Sequence, residues 1–222
     1  MGAQEPLGVE RGVGGQHAGL KALADAHLAR EWKRDDGAVM QVGRCLIDAG
    51  YVPDTVYLAI RRSGRAAVLM PSKGVGVGAS SKAFAEYKRR KGDLYGHYWR
   101  VPTVHGTREL RTVHIDTNYW KSFVHARLAV AMGDRGCLSL FGMKAEEHRL
   151  LSEHLAAEYR VRTEARGRTV DEWKLKASTV DNHWLDCLVG CAAAASMLGV
   201  SLFRGAAPRK VRRKRKKVSY LS

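Results

Sequence analysis

A chain of 222 residues with 45% apolar residues is long enough to bury one sizeable core, which excludes wholesale disorder. Its formal net charge of +16 excludes an indifferent surface: such an excess attracts polyanions, nucleic acid first and an anionic membrane second. No run approaches the ~18 apolar residues of a membrane span, and Met1–Gly19 lacks the apolar core of a signal peptide. The expectation is a soluble protein of a reducing compartment.

In chain order, Met1–Gly19 is glycine-rich and without periodicity, and reads as a disordered lead-in. Leu20, Leu23, Ala24, His27, Leu28 and Trp32 make the apolar stripe of a helix over Leu20–Lys33, ended by Asp35-Asp36-Gly37. Cys45–Gly50 is a short apolar run ending on a carboxylate and a glycine, the pattern of a buried strand with Asp48 at its carboxyl end. Tyr51–Thr55 then starts a helix capped by Asp54 or Thr55 and stopped by Gly64, with a strand over Thr55–Ile60 as the competing reading. Ala66–Met70 is the next strand, closed by Pro71-Ser72-Lys73-Gly74, and the glycines at 74, 76 and 78 with Ser80 and Ser81 make a loop.

Lys82–Lys91 is strongly basic and reads as a helix with Phe84 and Tyr87 on one side. Gly96–Val101 and Leu110–Ile115 alternate like paired strands, and Asp116-Thr117 caps a helix over Asn118–Met132. A strand over Cys137–Phe141, a helix over Ala145–Tyr159, a hairpin turned at Arg166-Gly167 and a final helix over Asp181–Leu198 complete the series. Arg209–Lys217, eight of nine residues basic, is a tail. Alternating helices and strands predict an α/β layer fold.

Two stretches carry chemistry. Asp48 stands at a strand's carboxyl end, where ligands and metals collect in open α/β sheets, though an ordinary loop aspartate fits equally well. His183 and Asp186, three apart, share one side of the first turns of the last helix, whose alanines and Gly190 would let it lie close to a sheet. The plainer reading makes Asp181 a helix cap and Asp186 a solvated or salt-bridged residue. Cys45, Cys137, Cys187 and Cys191 read as buried reduced thiols, the i, i+4 pair Cys187 and Cys191 being the one spacing that would suit a metal. Asp116 reads as a helix cap, with a third metal ligand as the alternative. Glu153, Glu158 and Glu164 read as solvated ion pairs, and His97, His105, His114 and His125 as surface or core histidines.

The order of these motifs resembles a known family. Ile47-Asp48-Ala49-Gly50-Tyr51 leading into Val56-Tyr57, Pro71-Ser72-Lys73-Gly74, then Val113–Leu128 with its Asp-Thr pair, Lys121 and Arg127-Leu128 are three of its parts. Asn182-His183-Trp184-Leu185-Asp186-Cys187 is the fourth. Together, from about Leu20 to Leu198, they look like the nuclease half of lambda-type phage terminase large subunits.

The resemblance implies a ribonuclease-H-like fold, a mixed central sheet flanked by helices over 20–203, between the lead-in 1–19 and a basic tail 204–222. It implies metal-dependent cleavage of double-stranded, concatemeric viral DNA during genome packaging. Two Mg²⁺ or Mn²⁺ ions would be held by Asp48 and Asp186, with His183 beside them as ligand or proton shuttle. Expected partners are double-stranded DNA, the other terminase subunits and the portal, in the host cytoplasm and with no membrane.

Where the family pattern has an acid, this chain has His183. The family's earlier strand, with its first catalytic aspartate, has no counterpart in Met1–Gly19, and no Walker motif is present. The expectation is therefore a carboxyl-terminal portion of a terminase, from a split gene, an internal start or a remnant. Asp25, Asp35 and Asp36 are the substitutes in the chain, but their helical or turn context argues against them, and another chain could donate the missing strand. Lys73, Lys82, Lys88, Arg89, Arg90, Lys91, Lys121 and Arg127 are the candidate DNA contacts. Two rivals remain: a non-catalytic DNA-binding remnant or split motor component, and a general basic nucleic-acid-binding protein.

Overall fold

The computed structural model describes residues 7–34, 36–103, 110–140, 142, 144–177 and 180–200, with the backbone alone at 7–14 and 16. The tail 204–222 with Arg209–Lys217, together with Phe141, Asp35 and His105, lies outside the described residues.

Helix α1 (Leu7–Leu28) reaches back into the stretch expected as a lead-in, despite its glycines. Its apolar residues Ala24 and Leu28 are buried against Val56 and Ile60 of α2 (Pro53–Arg62), and that contact anchors a helix whose propagation is cheap once started. The helix stops at Leu28. Trp32–Lys33 instead forms β1, paired antiparallel with β2 (Val39–Met40), so Asp36-Gly37 is a hairpin turn, with Gly37 at φ 82°.

Five strands make the central sheet, in the order β3 (Cys45–Asp48), β4 (Leu69–Val75), β7 (Val113–Asp116), β6 (Trp99–Val101), β5 (Leu94–Gly96). The first three are parallel; β6 and β5 return antiparallel. The fold is thus α/β with a mixed sheet. Strand β4 begins later than expected and runs through Pro71-Ser72-Lys73-Gly74, while Ala66–Val68 is a turn. Pro71 is tolerated because its ladder with β7 begins only at Ser72, beyond the missing donor.

Side chains alternate between two cores. Cys45, Ile47 and Leu69 face the α1–α2 side, whereas Leu46 and Met70 face the side of α3 (Thr117–Leu128) and α5 (His183–Met197). There Leu185, Val189 and Ala193, four residues apart, meet Trp120 and Val124. A Cβ at Gly190 would meet nothing within 4 Å, so that glycine does not serve close packing.

Helix α2 opens on Pro53, whose fixed φ suits the first turn, with Val52 rather than Asp54 or Thr55 at the cap position. The strand alternative for Thr55–Ile60 falls with it. Gly64, at φ 68°, follows its end. No strand forms over 137–140, and Lys82–Lys91 contains only a 3-10 turn at Phe84–Glu86. The reason lies in tertiary contacts: the Arg100 guanidinium sits 3.8 Å from the Tyr87 ring centre and 5.5 Å from that of Phe84, holding both rings against β6.

A 3-10 turn (Ala145–His148) and α4 (Arg149–Leu155) lead into the hairpin of β8 (Glu158–Ala165) and β9 (Arg168–Leu175). It turns at Arg166-Gly167, both at positive φ, as the sequence predicts. Two sets of hydrogen bonds are among the ties that fasten the hairpin to the body. Trp173 donates from its backbone to Asn118 and from its indole to Ser122. Arg168 donates to the carbonyls of Gly78, Ala79 and Ser81, while the Ala79 N–H donates to Glu172.

Candidate active site at the carboxyl edge of the sheet

Asp48 is the last residue of β3 and its side chain is exposed. One carboxylate oxygen accepts the Gly50 N–H at 3.1 Å, which turns the chain sharply towards α2. Tyr51, just beyond, is 93% exposed. In register Asp48 lies beside Ser72, which places exposed Lys73 one step further along the same edge.

Asp186 is carried towards that edge by the direction of α5. Leu198 lies against Gly43, and Cys191 is close enough to Cys45 to push its thiol up, after burial, which is the larger cause. The helix therefore runs antiparallel to β3 and brings its first turn to the strand's carboxyl end. There Asp186, its side chain 48% exposed, is paired at 3.1 Å with the ammonium of Lys121. The same ammonium lies 2.5 Å from Glu158, which is buried and also accepts from Asn182.

This four-residue cluster corrects two expectations. Glu158 is not a solvated ion pair but a buried one; Glu153, paired with Arg149 on α4, is the solvated one. Lys121 is buried with its charge committed to two carboxylates, so it is not placed as a DNA contact. His183 is exposed and lies 3.5 Å from Asp181 rather than on Asp186.

All four cysteines are free. Cys187 and Cys191 are exposed and Cys45 and Cys137 half-buried, against the expectation of buried thiols. Among the described residues, no group of three or more His, Cys, Asp and Glu side chains could hold a metal ion.

Further along the edge lies a cleft of about 800 Å³. It is bounded by Phe84 and Arg89 of the basic segment, Tyr98 of the β5–β6 turn, Asp116 and Asn118 at the start of α3, and Arg168 of the hairpin. Asp116 caps α3 as its place in the sequence suggests, accepting from the Tyr119 N–H. It is also buried, and that desolvation pushes its carboxyl up to about 6, against the opposing pull of backbone N–H groups and the Arg168 charge. Its role as cleft wall was not legible from a cap motif alone.

The basic segment forms the cleft's rim. Lys88, Arg89, Arg90 and Lys91 are exposed, with Arg89 5.0 Å from the Tyr95 ring centre and Lys82 4.9 Å from that of Tyr87. Asp93 fixes the end of this segment by accepting from the backbone of Arg90 and Thr103, which hold its carboxyl down to about 2. Arg127 lies apart, half-buried against Phe123 on α3. Of the other histidines, His97 is hydrogen-bonded to Tyr119 and His125 stacks on Trp173.

The model of the terminase large subunit gpA endonuclease domain matches residues 12–209. No curated protein and no solved structure gives a match. The matched span holds β3 with Asp48, the cleft, and α5 with Asp186. The chain belongs to the terminase large subunit gpA endonuclease-domain family.

Proposed function

We propose that this chain cleaves double-stranded, concatemeric viral DNA during genome packaging, with Mg²⁺ or Mn²⁺ as cofactor. It would act in the host cytoplasm beside the other terminase subunits and the portal. Family membership and the +16 charge support a DNA substrate. No helix among the described residues is long and apolar enough to cross a membrane.

The observation that carries the reading is exposed Asp48 at the carboxyl end of a parallel strand, with α5, the helix that bears Asp186, packed against that strand. Hard carboxylate oxygens suit Mg²⁺ or Mn²⁺. The described residues do not by themselves assemble the two-metal centre expected from the sequence. Mg²⁺, however, is commonly held by one or two carboxylates together with substrate phosphates and water, and exposed Asp48 fits that sharing. A bound ion would supply charge stabilisation at the phosphodiester and an activated water. Asp186, half-exposed and charge-balanced by Lys121, would be the second ligand. His183 would act from the margin of the site.

Cleavage of supercoiled plasmid in Mn²⁺ or Mg²⁺ tests this. The intact chain nicks, chelation stops it, Asp48→Ala is silent and Asp186→Ala is impaired. A second reading, a non-catalytic DNA-binding module of the packaging machine, rests on the lack, among the described residues, of a group of three His, Cys, Asp or Glu side chains that could hold a metal ion. It prevails if the chain binds DNA yet never cuts in either metal.

A further inference from the structure

The cleft between the basic rim, the β5–β6 turn and the start of α3 has no part in the site at Asp48. Its aromatic wall is held in an unusual way. Tyr98 occupies the hairpin turn at φ 53°, a left-handed conformation that a bulky side chain adopts at a cost. The Trp99 ring packs directly over Gly96, where a Cβ would lie 2.1 Å from it. The result is a Tyr98 ring stacked on Tyr119, centres 3.5 Å apart and planes within 1°, while 43% of Tyr98 remains exposed. Tyr119 is in turn fixed by His97 through a 2.5 Å hydrogen bond.

We propose that this cleft binds one unpaired nucleotide of a DNA strand, its base laid on Tyr98 and its phosphate at Arg89. An exposed ring that is pre-stacked and rigid offers a base its face without ordering cost, and stacking tolerates any base. Arg89 lines the cleft from the rim, and Lys88, Arg90 and Lys91 continue the positive track a strand would follow. Asp116 and Asn118 line the inner wall, where the Asp116 carboxyl and the Asn118 amide nitrogen, its oxygen already taken by the Trp173 N–H, would meet the base's hydrogen-bonding edge. A base inside an intact duplex cannot reach them, so the site selects a strand end or an extruded nucleotide. The proposal rests on the DNA-cleavage reading only for its choice of polymer.

The test uses the full chain in chelator, so that nothing is cut. A short single strand carrying 2-aminopurine, and a blunt duplex of the same sequence, are titrated by fluorescence and anisotropy. The parent chain quenches the single strand. Tyr98→Gly, which removes the ring and relieves the backbone, weakens single-strand binding about tenfold and abolishes the quench, with duplex binding unchanged. Tyr98→Phe restores both. Arg89→Ala reduces the salt slope for the single strand by about 1. A free deoxynucleoside monophosphate that displaces the strand assigns recognition to the nucleotide itself; persistence of the strand, with Tyr98 dependence, assigns it to the chain of phosphates as well. Equal binding and quenching by the parent chain and Tyr98→Gly overturns the proposal. Absent plasmid cleavage with Tyr98-dependent strand binding would sink the nuclease reading and leave this one standing.

Discussion

Glu158 and Asp116 are equally buried, each 5% exposed, and the protein meets their burial in opposite ways. Glu158 is given a cation: the Lys121 ammonium lies at 2.5 Å, Asn182 donates to the same oxygen, and the charge is neutralised inside the fold. Asp116 is given only dipoles, the backbone N–H groups of Tyr119, Val77 and Asn118, and a more distant Arg168; burial outweighs their downward pull and leaves its carboxyl pushed up to about 6. The difference teaches which acid is structural. A carboxylate locked to a lysine holds three elements together. One that keeps a proton within reach of neutral pH at the wall of a cleft is free to meet a ligand.

Breaking the first arrangement has the largest expected effect. Lys121→Ala leaves Glu158 charged, buried and unpaired, and costs about 3–5 kcal/mol of stability in urea denaturation at neutral pH. Adding Glu158→Gln to it recovers much of the loss; a loss below ~1 kcal/mol for the single variant would mean the cluster is wet and the contrast with Asp116 false.

The second arrangement responds to pH with a defined sign. Asp116 has a folded pKa of about 6 against an ordinary 3.8, so the folded protein holds this proton more tightly than the unfolded chain. The group costs nothing below about pH 4, and its penalty grows through the window up to about pH 6, reaching roughly 3 kcal/mol above it. Asp116→Asn keeps a cap residue, stabilises the protein by up to that amount at pH 7 and leaves it unchanged at pH 4. Denaturation midpoints across this range check it, and a pH-independent difference would refute it.

A smaller effect is expected at the turn that holds the cleft's aromatic wall. Gly96→Ala forces the Trp99 ring aside and costs about 1–3 kcal/mol, read as a drop in melting temperature. Smallest in stability is Asp48→Ala, about 0.5–1 kcal/mol because the exposed side chain loses only the Gly50 N–H hydrogen bond, although the proposed function expects it to remove cleavage.

Much of this was legible in the chain. The apolar run ending on Asp48, the Arg166-Gly167 turn, the Asp116 cap and the apolar spacing of the last helix each have a local cause, and each stands where periodicity and turn chemistry put it. What escaped reading has distant causes. Lys121 looks like a surface cation until Glu158, 37 residues away, is folded onto it. The Lys82–Lys91 segment has a helix-like composition, but Arg100 on a later strand takes its aromatic residues and keeps it extended. The setting of the two candidate acids was the least legible. Asp48 stands exposed at the end of its strand, whereas Asp186 is paired with a lysine that spacing alone could not assign.

The stitching of the loop at Gly78–Ser81 to β9 has a kinetic consequence. Arg168 takes three of its carbonyls and Glu172 its Ala79 N–H, while Glu172 also accepts from Thr163 on the neighbouring strand. A segment without regular secondary structure is thereby made part of the hairpin's own cooperative unit. In amide hydrogen exchange the Ala79 N–H would be protected like a strand amide and would open at the same rate as the β8–β9 ladder. This loop then opens and closes with the hairpin as one body, on the hairpin's clock rather than a loop's.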